Sequence, residues 1–226
     1  MFDTRVPYDK SSVIWSPEGE LVQLAYARRA SEKGQPAIGL ILDDSTILLA
    51  TKTNCDDLVQ KPPKIQLIDE CLYLLASGLL SDANLLLTQS RLINQRHELI
   101  YNEKIGPEGL TRKLGEIMAN HTLSGGLRAF GVMLLIAGFD PISKKPQILS
   151  LDNGGSYISV KAWASGQDSY KLISYFREHY KKGVSIEEGK KLVLDALNNI
   201  IEKPTNKIEE KDMEFQIVKP VSKEDL

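Results

Sequence analysis

The sequence predicts an α+β fold arranged as a four-layer α/β/β/α sandwich. Three observations predict it. Apolar runs of strand length, such as 130–137, are near-continuous, so those strands need cover on both faces. The helical patterns come in two pairs. The order along the chain is strands, helix pair, strands, helix pair, strand. Two sheets packed face to face, each with a helix pair outside it, satisfy that demand.

The first helical pattern comes early, over 18–33. Ser16-Pro17-Glu18-Gly19 opens it, with Ser16 as N-cap and Pro17 where a missing N–H costs nothing. Leu21, Leu24, Ala25 and Ala27 form its apolar stripe, and Gly34 closes it. It has no core of its own and must lie on something.

Strands over 38–42 and 46–51 flank Asp43-Asp44-Ser45, a hairpin signal. Another follows at 71–76. A long helix is expected over 82–101, with Leu79, Ala83, Leu86, Ser90, Ile93, His97 and Ile100 on one face. His97 reads as a hydrogen-bonded interior histidine. After Gly106-Pro107, a second helix carries Leu110, Leu114, Ile117 and Met118, and Gly125-Gly126 ends the region. The second half repeats the order: strands at 130–137, 147–151 and 157–164, helices over 168–180 and 186–201, and a last strand over 213–218. The linker 202–211 is charged and reads as solvated.

A length of 226 residues suits one domain with a real core, so the chain is read as a single domain over 1–226. Hydrophobic residues at 42% and charged residues at 26% are those of a globular protein, not a disordered one. The net charge of -2 argues against nucleic acid as a partner, because phosphate binding needs a basic excess. No signal peptide and no apolar run of membrane-spanning length are read, so no membrane association is expected. Cys55 and Cys71 are too few for a disulfide framework and are expected as reduced thiols. Asn120-His121-Thr122 fits a glycosylation sequon, without meaning outside a secretory route.

The motifs of an independent enzyme are missing. There is no G-x-S-x-G elbow, H-E-x-x-H, P-loop, G-x-G-x-x-G or C-x-x-C. His97, His121 and His179 do not make a metal set, so neither metal nor cofactor is expected.

Tyr8-Asp9-Lys10, then Trp15-Ser16-Pro17-Glu18-Gly19, then Gln23-Leu24-Ala25-Tyr26-Ala27, resemble the signature of proteasome alpha subunits. That pattern reads tyrosine-aspartate-arginine, phenylalanine-serine-proline-acidic-glycine, and glutamine-valine-glutamate-tyrosine-alanine. Lys64-Ile65-Gln66-Leu67-Ile68-Asp69, Ser77-Gly78-Leu79, Ser81-Asp82-Ala83, Gly125 to Gly131 and Asp152 to Gly155 are similar too, so the resemblance covers nearly the whole chain. Ser81-Asp82-Ala83-Asn84 and Arg91 to Arg96 look most like the eukaryotic subunit called alpha type 4. Departures are Lys10 for arginine, Glu20 for a basic residue, Ala25 for glutamate and Ala129 for proline.

The resemblance implies the N-terminal nucleophile hydrolase type of sandwich, with 1–17 as gate tail and turn, 18–33 as the added helix and 35–226 as the sandwich. Catalytic beta members begin with a threonine nucleophile supported by an aspartate and a lysine. The matching positions here are Gln35, Thr51 and Lys64. Glutamine has no hydroxyl and Thr51 no carboxylate, so no peptidase activity is expected.

The resemblance further implies a seven-membered ring with other alpha subunits, contact with beta subunits, docking of activators or a regulatory particle, ubiquitin-dependent degradation, and residence in cytoplasm and nucleus, or in cytoplasm only if the source is prokaryotic. It makes Tyr8, Asp9, Pro17 and Tyr26 an open-gate cluster between neighbouring subunits. It makes Lys64, with Gly34 and Gly78, a pocket for an activator's C-terminal carboxylate. On their own residues, Tyr26 reads as a half-buried helix residue, Tyr8-Asp9 as a cap and Lys64 as the opening of a strand. Two other readings compete: a hydrolase that trims itself to expose a nucleophile, and a stand-alone scaffold.

Overall fold

The computed structural model describes Tyr8 and residues 10–53, 63–200 and 207–220. Asp9, Cys55 and the tail before Tyr8 lie outside the described residues. Helix α1 (Val22–Glu32) leads into the hairpin β1 (Ala37–Ile41) and β2 (Ile47–Lys52). Then come β3 (Ile65–Asp69), β4 (Leu72–Gly78), the long α2 (Leu80–Tyr101) and α3 (Pro107–Leu123). Strands β5 (Val132–Phe139), β6 (Pro146–Leu151), β7 (Tyr157–Val160) and β8 (Ala162–Ser165) follow, then α4 (Ser169–His179), α5 (Ile186–Ile200) and β9 (Met213–Val218).

The strands form two antiparallel sheets, one ordered β8-β1-β2-β9 and the other β3-β4-β5-β6-β7. Period-two alternation then sorts side chains into three cores. Ile38, Leu40, Leu48 and Ala50 face α4 and α5, meeting Leu172, Phe176, Val193 and Leu197. Leu74, Val132, Leu134 and Ile136 face α2 and α3, meeting Leu86, Leu110, Leu114 and Met118. Ile47, Leu49, Leu75, Leu135, Ala137 and Ile148 fill the seam between the sheets. This is the four-layer sandwich the apolar runs demanded. Truncating one of these fully buried leucines to alanine costs about 3 kcal/mol.

Local chemistry sets the turns. Asp43 Oδ1 accepts Ser45 N–H at 2.8 Å, shaping the β1–β2 hairpin. Pro107 opens α3, and Asn102, at φ 54, ends α2 in the left-handed region.

Several expectations need correction. The first helix begins at Val22, not at 18, with Leu21 as its N-cap. Ser16 caps no helix. Its carbonyl accepts Gly19 N–H and its own N–H donates to Glu20 O, a turn closed by Gly19 at φ 78. The run 157–164 is two strands: β7 pairs with β6, whereas β8 pairs with β1 in the other sheet. The α2 face is buried only in its middle, because Leu79 and Ile100 are 44% and 62% exposed while Asp82 and Asn94 are buried. The far end of the linker is anchored, with Ile208 buried and its backbone held by the Asn198 side chain at 2.8 and 3.0 Å.

His97 lies against Tyr101, ring centroids 4.7 Å apart, with Nε2 3.8 Å from Glu103 Oε1. Its buried Nδ1 has no hydrogen-bond partner among the described residues, unlike the expected interior histidine. Thr122 of the sequon is buried and donates its hydroxyl to Met118 O. Among the described residues no helix is long and apolar enough to cross a membrane.

Candidate functional site

The starts of β1 and β3 and the end of β2 meet at one end of the sandwich. Thr51 pairs with Ala37 and donates its buried hydroxyl to Pro36 O at 2.9 Å. Lys64 Nζ donates to Lys52 O at 2.7 Å. Gln35, half-buried, accepts the Ser77 hydroxyl on its carbonyl at 2.8 Å. The three positions matched to a catalytic trio are thus neighbours in space, but they present an amide, a hydroxyl already donated to backbone, and an ammonium. No attacking hydroxyl with a base beside it exists among them.

Helix α1 lies across this end, packed on β4 and β5. Buried polar groups hold it there. Ser31 Oγ lies 2.8 Å from Arg28 O and 3.1 Å from Asn153 Oδ1. Asn153, fully buried, donates to Phe130 O and Val132 O at 2.7 and 3.1 Å. Ser77 Oγ lies 3.2 Å from Ser31 O. Each such bond contributes about 1 kcal/mol net, and far more is lost when one partner is removed and the other stays buried. Close backbone approach completes the seam. A Cβ on Gly34 would overlap the Gly78 nitrogen, and one on Gly78 would overlap the Gly131 carbonyl oxygen. Gln167 N–H donates to Gly34 O at 2.9 Å.

Beside that seam is a concavity of about 460 Å³ lined by Tyr26, Arg29, Ala30, Lys33, Gly34, Gly78 and Leu79. Tyr26 is 40% exposed, and the Arg29 guanidinium carbon sits 6.0 Å from its ring centroid. The lining therefore has two cations, a phenol and exposed backbone, a chemistry suited to an acidic or carboxylate-bearing ligand.

The concavity joins Tyr26, Gly34 and Gly78, which the sequence had divided between two roles. Lys64 is not part of its lining. Pro17 is exposed on the turn before α1, and Tyr8 is half-buried. Asp9 is outside the described residues. Arg29 and Lys33 were missed by sequence reasoning, although their position in the last turn and at the C-cap of α1, just before Gly34, was a usable signal.

Sequence reasoning also missed a brace behind the cavity wall. Asp82, at the first turn of α2, takes Arg128 on both carboxylate oxygens at 2.7 Å each and the Gly131 N–H at 2.9 Å. Gly131 O in turn accepts Leu79 N–H at 3.0 Å. The Arg128 guanidinium, helped by the Gly131 amide and opposed by burial, holds the Asp82 carboxyl below the usual carboxylate range.

Two antiparallel sheets between helix pairs, with a helix laid over the end where a nucleophile would work, define an N-terminal nucleophile hydrolase scaffold without its nucleophile. Comparison with known proteins agrees. The family model "Proteasome subunit" matches residues 31–218. Over 200 residues the chain is 34% identical to a proteasome subunit alpha of Pyrococcus horikoshii, covering 88% of this chain and 76% of that one. It is 35% identical over 203 residues to a proteasome subunit alpha of Methanocaldococcus jannaschii (88% and 77% covered). It is 33% identical over 204 residues to proteasome subunit alpha type-7-B of Arabidopsis thaliana (89% and 81% covered). The chain belongs to the proteasome subunit family, among its alpha subunits. That class forms the alpha ring of the 20S core particle and leaves peptide cleavage to the catalytic beta subunits.

Proposed function

We propose that this chain gates substrate entry to the 20S core particle and docks activators there, as a non-catalytic member of a seven-membered alpha ring bound to beta subunits. The observation that carries the reading is the concavity where α1 meets β4. It joins Tyr26 to Gly34 and Gly78 and adds two cations beside exposed backbone. A peptide ending in a free carboxylate is the matching ligand. In this reading Lys64 adds a cation from the edge of β3, outside the lining of the concavity, and Tyr8, Asp9, Pro17 and Tyr26 meet a neighbour's surface when the tail is displaced, an ordered-to-rearranged switch. The work is done in ubiquitin-dependent degradation, in cytoplasm and nucleus, or in cytoplasm only if the source is prokaryotic.

The finer placement beside the eukaryotic subunit called alpha type 4 is supported by Ser81-Asp82-Ala83-Asn84 and Arg91 to Arg96. Purifying the tagged chain and identifying its ring neighbours tests that placement.

The gating role is tested by titrating an activator-tail peptide, and its C-terminally amidated twin, onto assembled particles carrying wild type or Lys64→Ala. Peptide-stimulated hydrolysis of a small fluorogenic substrate is the readout. The free-carboxylate peptide opens the wild-type gate and the twin does not, while Lys64→Ala weakens the response about tenfold. An unchanged titration removes Lys64 from the role.

A further inference from the structure

Strand β9 is the edge of the four-stranded sheet and β3 the edge of the five-stranded one. One carboxylate spans the two edges. Glu214 Oε2 accepts Lys64 N–H at 2.9 Å, and Glu214 Oε1 accepts Ile65 N–H at 3.0 Å. Two successive amides on the two oxygens of one carboxylate make a charge-assisted, two-point grip. It is placed where β3 begins, so it fixes the direction in which residue 64 leaves the strand.

The far end of the same lysine is referenced to the same strand pair. Lys64 Nζ donates to Lys52 O at 2.7 Å, and Lys52 is paired with Met213, next to Glu214. The backbone of Lys64 is thus set by β9 and its ammonium by β2. A peptide carboxylate can take up that ammonium only if it stands within reach.

We infer that Glu214 is a positioning residue for carboxylate recognition, acting through Lys64: it sets where the ammonium stands and so how well a peptide's free C-terminus is captured. This rests on the assignment of Lys64 to that recognition. Glutamine at 214 keeps the shape, but it removes the charge and turns an N–H donor toward a backbone donor.

The test uses assembled particles carrying wild type, Glu214→Gln, Lys64→Ala, or both. The probe is a synthetic peptide with the C-terminal residues of an activator that opens the wild-type particle, beside its amidated twin. Glu214→Gln is expected to raise the half-maximal concentration of the free-carboxylate peptide about tenfold. The shift falls in half-maximal concentration rather than in the rate at saturating peptide. The double variant is expected to match Lys64→Ala alone, because a residue acting through Lys64 has nothing left to position. If Lys64→Ala shifts the titration while Glu214→Gln does not, or if the two effects add in the double variant, the inference is overturned and the Lys64 assignment stands. If Lys64→Ala shifts nothing, the assignment falls and the inference with it. Should the glutamine variant fail to assemble by native mass spectrometry, Glu214→Asp, too short to hold both amides, is judged by the same criteria.

Discussion

Asp82 and Arg128 are joined by two hydrogen bonds of 2.7 Å each, with the carboxylate buried at 7% exposure and the guanidinium open to solvent at 64%. The pair connects the first turn of α2 to the segment entering β5, and through Gly131 it supports the wall of the α1–β4 concavity. Asp82→Ala strands the buried Gly131 N–H and should lower stability by about 2–3 kcal/mol in urea unfolding. Arg128→Ala leaves the buried carboxylate without its cation and should also destabilise the chain clearly.

The same pair sets an acid limit. Asp82 has its folded pKa depressed below the ordinary 3.8. Its contribution is therefore fully present above about pH 4 and fades as pH falls through the lower folded value. Thermal midpoints measured between pH 7 and pH 2.5 should drop less steeply at the acid end in Asp82→Asn than in the parent chain. Parallel curves would show that the carboxylate is not responsible.

Asn153 is buried among α1, β5 and the loop after β6, with its side chain used on both ends. Asn153→Ala should cost about 3 kcal/mol and should speed amide hydrogen exchange in Val22–Glu32 before that of the two sheets. Uniform acceleration across the chain would contradict a local clasp.

Two glycines separate the seam from the surface. Gly78, at φ 128 and with the Gly131 carbonyl oxygen where a Cβ would sit, cannot take a side chain without pushing β4 from its neighbours. Gly78→Ala should destabilise by more than 2 kcal/mol and enlarge or abolish the concavity, whereas Gly125→Ala, which meets open space, should stay within about 0.5 kcal/mol. Thermal unfolding of the two variants side by side checks this.

Restoring a hydroxyl should not restore chemistry. Gln35→Thr places one at the matched position, but its nitrogen remains in a peptide bond to Gly34 and Thr51 supplies no carboxylate. Hydrolysis of fluorogenic peptides by the purified variant chain is expected to stay at background, and a rate above it would contradict the loss of the catalytic set.

The layers were legible because a strand buried on both faces has no room for polar alternation, and 130–137 states this outright. The passage from β7 to β8 was not legible. Both halves of 157–164 have strand composition, and only the partner decides which sheet each joins. The start of α1 was misread because Ser-Pro at a turn and Ser-Pro at a helix cap share one local signal; Gly19 in the left-handed region settles it for the turn. Gly34, Gly78 and Tyr26 entered through family resemblance, whereas Asp82, Asn153 and Glu214 act through partners 46, 122 and 150 residues away. Side chains bonded over such separations leave no periodic trace.

Only Lys161 stands between Val160 of one sheet and Ala162 of the other, and its carbonyl holds Ile41 N–H at 2.8 Å. Two Cα–Cα steps of about 3.8 Å make a short tether. One register repeat is about 6.8 Å, close to the full reach of that tether, so the layers cannot slip past each other by several repeats without breaking the link. Large displacements are thereby denied to the sandwich and left to whatever projects from it, as on a hinge whose plate is bolted down.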